Sequence, residues 1–415
     1  VTFTPRLTSA SVTLTPISPP PITTARMARL NDSSIALASS RVVKWTNGET
    51  LSSGTITYER TGGAADVGSP HQASMSGHLA SGYQELDVAT TLVEGAIYKL
   101  DFAATDLAGN TGVATRTNIE YDVTPPSFGT VTPSTGTYIK AATRAPAWNN
   151  SEQLSGGEVK YTGTAGPDSG GVHSVTFAGS LLNSGSQSID VTGMQDGTTY
   201  TLTLSGTDMA GNSGSITPQA GIVYDTTAPG FGSVTPLTGD RISLTTRVVA
   251  WTNSEALLSG KAEYEGTSGG DSGNIHSSSF GAGEKTQGAH TLDVAGLVTD
   301  NYYKITLSGT DLAGNAGTPV VSTGLFYDTT LPTFGTVTPG TGQRITVSNR
   351  IVQWSNSETL NAGEVKYTST AGSDSGSGYA KDLGTIGKLG QGSQSADVGA
   401  LVNGSARAVG LLAVV

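Results

Sequence analysis

Short runs of this chain place apolar residues at every second position. Ser188–Val191 (SIDV), Tyr200–Leu204 (YTLTL) and Ile305–Leu307 (ITL) alternate in this way, and Arg247–Trp251 (RVVAW) is equally short and β-prone. Successive side chains of a strand point to opposite faces, so a period of two predicts half-buried strands built from Thr, Val, Ile and Tyr. Clusters of Gly, Asn, Asp and Pro separate the runs at about the 8–12-residue spacing of a β-sandwich. No segment carries a helical stripe of useful length. The predicted order is strand A through FGTVTP, B ending at a Trp and C through EVKYT. A variable DSG loop with a short strand follows, then E through QSIDV, F through TYTLTLSGTD and G before a Tyr-Asp pair.

The pattern repeats. Trp45, Trp148, Trp251 and Trp354 are each 103 residues apart, with Asn47, Asn150, Asn253 and Asn356 two places later and Glu49, Glu152, Glu255 and Glu358 four places later. Tyr58, Tyr161, Tyr264 and Tyr367 keep the interval, as do Tyr121, Tyr224 and Tyr327 in YDVTPP, YDTTAP and YDTTLP. Tyr98, Tyr200 and Tyr303 recur within one residue of register, each ahead of a D-x-A-G-N turn that begins at Asp106, Asp208 or Asp311. Four copies of one unit of about 100 residues account for the chain.

Composition narrows the function classes. The net charge is −11, charged residues are 13% of the total and no Lys/Arg cluster occurs, which argues against nucleic acid or an anionic membrane as partner. With no cysteine, disulfides, thiolate metal sites and thiol nucleophiles are excluded. No apolar run approaches the ~18 residues of a membrane span, so no membrane insertion is expected. The chain opens at Val1 rather than Met, as a processed secreted protein would.

The D-x-A-G-N and Y-D-T-T-x-P signatures resemble those of bacterial Ig-like repeats of secreted surface proteins. Leu92/Tyr98, Met194/Tyr200 and Leu297/Tyr303 are similar to the tyrosine corner of fibronectin-III-like domains, whose hydroxyl bonds nearby backbone. The resemblance implies immunoglobulin-like sandwiches, and with the repeat register the expectation is an all-β chain of four in tandem, the last lacking its G strand. The expected boundaries are 18–120, 121–223, 224–326 and 327–415, with residues 1–17 standing ahead of the first. The resemblance speaks to fold far more than to function.

Most recurrent residues have a structural reading. The tryptophans are expected in the cores, the Asn-x-Glu after each is expected to tighten the turn leaving strand B, and D-x-A-G-N is expected to form the F–G turn. Tyr121, Asp122, Tyr224, Asp225, Tyr327 and Asp328 mark the domain junctions. Calcium there is the one cofactor considered; no acidic cluster surrounds these aspartates in sequence, so no metal or cofactor is expected. The DSG loops, with Asp168, Asp271 and Asp374, are expected to carry lateral contacts between subunits. His173 and His276 share a place that Tyr379 takes in the last copy, and no HExxH spacing or G-x-S-x-G elbow exists, so no enzyme is expected.

The two ends suggest a polymer. Val1, Phe3, Val12, Leu14 and Ile17 form an extra strand pattern at the start, and the last copy stops within strand F, where Val409, Leu411, Leu412 and Val414 would line an open groove. The expectation is donor-strand complementation, residues 1–17 of one subunit completing the fourth unit of the next, in a head-to-tail extracellular filament, pilus-like fibre or sheath. The alternatives are a stalk or adhesin segment of a longer surface array, with or without carbohydrate binding, and an accessory module of a polysaccharide-degrading enzyme.

Overall fold

The computed structural model describes residues 36–38, 42–88, 92–346 and 350–414. These residues form strands throughout, with a single 3-10 turn at Gly179–Leu182, and among them no helix is long and apolar enough to cross a membrane. Contacts divide the chain into two compact units. One runs to Thr227 and includes Ala313–Asn315; the other holds Ala228–Leu312 and the residues from Ala316 on. Each unit contains two separate hydrophobic cores.

The third copy shows how one core is built. One sheet joins Phe231–Thr235, Val249–Asn253 and Gly288–Leu292 in that spatial order. The other runs Arg241–Ile242, Val320–Tyr327, Asn301–Asp311, Leu257–Ser268 and Ile275–Ser279. Only Arg241–Ile242 pairs in parallel, against Phe326 and Tyr327. This is the Ig-like arrangement, with an A strand shared between two sheets. The alternation in sequence becomes burial: Tyr303, Ile305 and Leu307 on one side of their strand are fully buried, and Tyr264 and Ala262 across the ladder join them. Trp251 closes the core from the opposite sheet, and fully burying so large a side chain contributes roughly 3 kcal/mol.

Trp251 lies flat on Phe280, with centroids 4.6 Å apart, and Trp148 on Phe177 at 5.2 Å. A glycine makes room for each phenylalanine. A Cβ on Gly260 would stand 2.2 Å from the Phe280 ring, and one on Gly157 would stand 2.4 Å from that of Phe177. Met75 over Gly54 and Leu383 over Gly363 take the same places in the outer copies. The large residue and the glycine beneath it are therefore one packing device, repeated four times.

In the fourth copy, Ala406–Val414 pairs with Ala362–Ala371, which also pairs with Gly378–Asp382. Val409 and Leu411 are half-buried against the core together with Ala413. Leu412 and Val414 point to the other face and are 66% and 54% exposed. The expected groove of Val409, Leu411, Leu412 and Val414 is thus corrected: a strand with period two cannot line one groove with residues of both parities. The proposed donor strand, with Val1, Phe3, Val12, Leu14 and Ile17, lies outside the described residues.

Candidate functional site

The Trp-x-Asn-x-Glu motif has two parts with different work. Each indole N–H donates to the Asn two residues on, at 2.8 Å for Trp148–Asn150 and 2.7 Å for Trp251–Asn253. The Asn150 Nδ2 then donates to the carbonyls of Leu181 and Asn183, and Asn253 does the same for Glu284 and Thr286. The Asn therefore ties the end of strand B to the loop entering strand E, more than thirty residues later. The expected role in tightening the local turn is corrected. A buried indole N–H needs an acceptor and a buried amide needs its own partners, and this arrangement satisfies both.

The D-x-A-G-N aspartate does build the F–G turn. Asp208 Oδ1 accepts the N–H groups of Ala210 and Asn212, and its Oδ2 accepts the Asn212 side chain. Asn212 also donates to the backbone oxygen of Asp122, at the start of the linker, 90 residues earlier. The turn is thereby fastened to the junction with the preceding sandwich.

This fastening brings carboxylates together. Ligand-capable oxygens of Asp122, Glu152 and Asp208 all lie within 4.8 Å of one another. They come from the linker, the B–C loop and the F–G turn, three segments that are distant in sequence. Glu94, from the preceding sandwich, accepts the Val123 N–H at 2.9 Å and hydrogen-bonds Asp122. Burial, reinforced by the charges of Asp122, Asp208 and Glu94, holds the Glu152 carboxyl above its usual range. Burial also raises Asp122, helped by its bond to Glu94 and the charge of Asp208. The charges that act most strongly on both groups are negative. Such a set is repelled in water and would be relieved by a divalent cation, whose hard-oxygen preference carboxylates meet. No acidic cluster surrounds the junction aspartates in sequence, but the fold supplies one. Asp122 belongs to one, and its partners were invisible because they are 30 and 86 residues downstream. Asp225, Glu255 and Asp311 hold the same places in the next copy of the sequence.

The tyrosines of the junction motif pack inward. Tyr224 and Tyr327 are buried, 5% and 3% exposed, and Tyr121 leans on the first core. Asp225 and Asp328 each accept an N–H two residues later, from Thr227 and Thr330.

The DSG aspartates turn their carboxylates inward. Asp168 Oδ2 receives the Tyr200 hydroxyl at 2.7 Å and sits 2.5 Å from His173 Nε2; Asp271 holds Tyr303 and His276 in the same way. Asp271 is 3% exposed. The aspartates are inward hydrogen-bond hubs that anchor their loop to strand F, a role the sequence did not suggest for Asp168, Asp271 and Asp374. Each Tyr hydroxyl in turn accepts a backbone N–H five residues upstream, from Val93, Gln195 or Val298 at 2.8 Å. The tyrosine corner is present with an acidic partner added. Burial and the Asp168 bond push the Tyr200 hydroxyl up to about 12. Hydrogen bonds from Tyr200 and His173 hold Asp168 below the usual carboxylate range.

The first copy has the same hub in Asp66, His71 and Tyr98. Sequence reasoning missed it because the loop slips by one residue, although the five-residue Asp-to-His interval was there to be found. In the fourth copy Arg407 replaces the Tyr and Tyr379 the His, and both hold Asp374. The hub resembles a catalytic triad only in composition. Its hydroxyl belongs to a buried Tyr that is already committed to Asp and to backbone, so it offers no nucleophile.

No family model matches the sequence, and no curated protein matches it. Adhesin segments and fibronectin-III domains are among the solved structures similar to the chain. The tetra-tandem repeat from the extending region of a large adhesion protein is 17% identical and covers 92% of this chain and 98% of its own, at a TM-score of 0.26. A Ca2+-stabilized adhesin with which an Antarctic bacterium binds ice is 18% identical, covers 87% of each chain and scores 0.25. The FN1–FN3 domains of chicken CNTN1 are 14% identical, cover 70% of this chain and 99% of their own, and score 0.26. Likenesses this distant carry no weight beside the geometry above.

Proposed function

We propose that the chain is a segment of an extracellular stalk or adhesin, an array of Ig-like sandwiches that spaces a binding element from a surface. Its junction at Asp122 is stiffened by a divalent cation, calcium by preference. The observation that carries this reading is the convergence of Glu94, Asp122, Glu152 and Asp208 where one sandwich hands over to the next. A spacer needs a defined angle between modules, and a flexible linker does not supply one. A cation bound by carboxylates from both modules and the linker does. Calcium takes about 6–8 oxygens, which these carboxylates would share with backbone and water. Magnesium demands a tighter octahedron and parts reluctantly with its water.

Other features agree. Trp148, Trp251 and Trp354 are at most 3% exposed, so they offer no face to a sugar. The recurrent polar residues are consumed in holding loops to strands, and neither the sequence motifs nor the Asp hubs supply an activated nucleophile, which suits a non-enzymatic role at the cell surface. The self-assembling filament remains a proposal without support among the described residues.

Calorimetric titration of the whole chain with calcium tests the reading. Binding is expected, and Glu152→Gln should remove one site or weaken it by about tenfold or more, as loss of a charged ligand does. Absence of binding at millimolar calcium, with no change in thermal stability, would overturn it.

A further inference from the structure

Two Asn-Gly pairs occur in the chain, Asn47–Gly48 and Asn403–Gly404. In such a pair the backbone nitrogen after the Asn can attack the side-chain amide, because glycine has no Cβ in the way and bends freely. The fold treats the two asparagines in opposite ways. Asn47 is 6% exposed. Its Oδ1 accepts the Trp45 indole N–H at 2.8 Å, and its Nδ2 donates to the carbonyls of His78 and Ala80, each at 2.9 Å. The amide cannot swing towards Gly48 without leaving all three partners. Asn403 is exposed, in the turn that precedes Ala406–Val414. Among the described residues neither its side chain nor the Gly404 N–H has a hydrogen-bond partner. The turn is held on either side of this pair, since Arg407 donates to the Val402 carbonyl at 3.2 Å and also holds Asp374. Only the tip is free to move.

Other copies use this place to hold their linker. Four residues before the strand F Tyr, or before Arg407 in the fourth copy, stand Glu94, Asp196, Thr299 and Asn403. Glu94 accepts the Val123 N–H at 2.9 Å, and the Thr299 hydroxyl accepts that of Thr329 at 3.1 Å. Asp196 accepts the Thr226 N–H and the hydroxyls of Thr226 and Thr227. Gly197 follows Asp196, so the second copy carries Asp-Gly where the fourth carries Asn-Gly.

We propose that Asn403 is a modification site at which water converts the amide to an aspartyl residue without an enzyme. The Gly404 nitrogen bonds to Asn403 Cγ and the Cγ–Nδ2 bond breaks. The proton of the N–H passes through solvent to the departing nitrogen, which leaves as ammonia. Water then opens the five-membered imide at either carbonyl, giving Asp or its β-linked isomer. Nothing is oxidised or reduced, and the co-reactant is water alone. With time the fourth copy thereby gains the carboxylate that the first two carry here, a stronger acceptor than an amide because it is charged. Neither the stalk reading nor the cation enters this chemistry.

The test ages the whole folded chain in mildly alkaline buffer, digests it and maps the peptides by mass spectrometry. A methyltransferase specific for β-linked aspartyl residues reports the isomer. The expected result is the amide-to-acid mass gain in the peptide that holds Asn403, with both isomers present, faster conversion at higher pH and an unchanged Asn47 peptide. Chain aged in urea should convert at both pairs, since the protection of Asn47 comes from the fold. Asn403→Gln should abolish the new acidic species seen on anion exchange of the folded chain. An Asn403 that stays intact in the folded chain would overturn the proposal. So would an Asn47 that converts as fast as Asn403 there, or an acidic species that survives Asn403→Gln.

Discussion

At the scale of single residues, the side chains that recur in every copy are those with a buried polar atom to satisfy. Asn253 joins an indole N–H to two carbonyls, so Asn253→Ala leaves the buried Trp251 N–H without its acceptor and frees the loop at Glu284 and Thr286. Unfolding in urea should show a loss of about 2–3 kcal/mol, with far-UV dichroism unchanged. The carboxylates divide by the sign of their shifts. Hydrogen bonds outweigh burial at Asp66 and Asp271 and lower both, as they lower Asp168. Stability from these groups is present above the ordinary carboxylate range and is lost as pH falls below about 4. Asp122 and Glu152 are raised, so the folded state holds protons that the unfolded chain has released, and stability falls as pH rises through their range. Thermal melts in chelator should therefore show a gain in stability on going from pH 7 towards about pH 5 and a loss below about 4. Saturating calcium should abolish the first arm and leave the second.

At the scale of elements, the strands and their order follow from alternation and turn chemistry, because both signals are local. The Trp, the D-x-A-G-N turn and the tyrosine corner were legible for the same reason. The glycine beneath Phe280 was not, since its partner lies twenty residues on and only the sheet brings the two together. Gly260→Ala should cost about 1–3 kcal/mol by forcing Phe280 off Trp251, and near-ultraviolet dichroism should report the disturbed indole. The inward turn of the DSG aspartates was not legible, because an Asp in a variable loop suggests exposure. What the sequence did contain was the His five residues later and the Tyr thirty-two later, which are the donors that turn Asp168 and Asp271 inward.

At the scale of the whole molecule, repetition places chemistry where no single copy has any. Glu152 and Asp208 meet Asp122 only because one sandwich follows another, so the carboxylate cluster is a property of the array. Its three motifs were all visible in the sequence as turn and linker residues, and only the topology shows that they share a corner. The central claim is that this corner sets the angle between modules through a bound cation. Spin labels at Gln72→Cys and Ser174→Cys, exposed on the sandwiches either side of Asp122, measure it directly. A broad distance distribution in chelator that collapses to a narrow one in calcium, and stays broad in Glu152→Gln, is the predicted result. Identical distributions with and without calcium would contradict it.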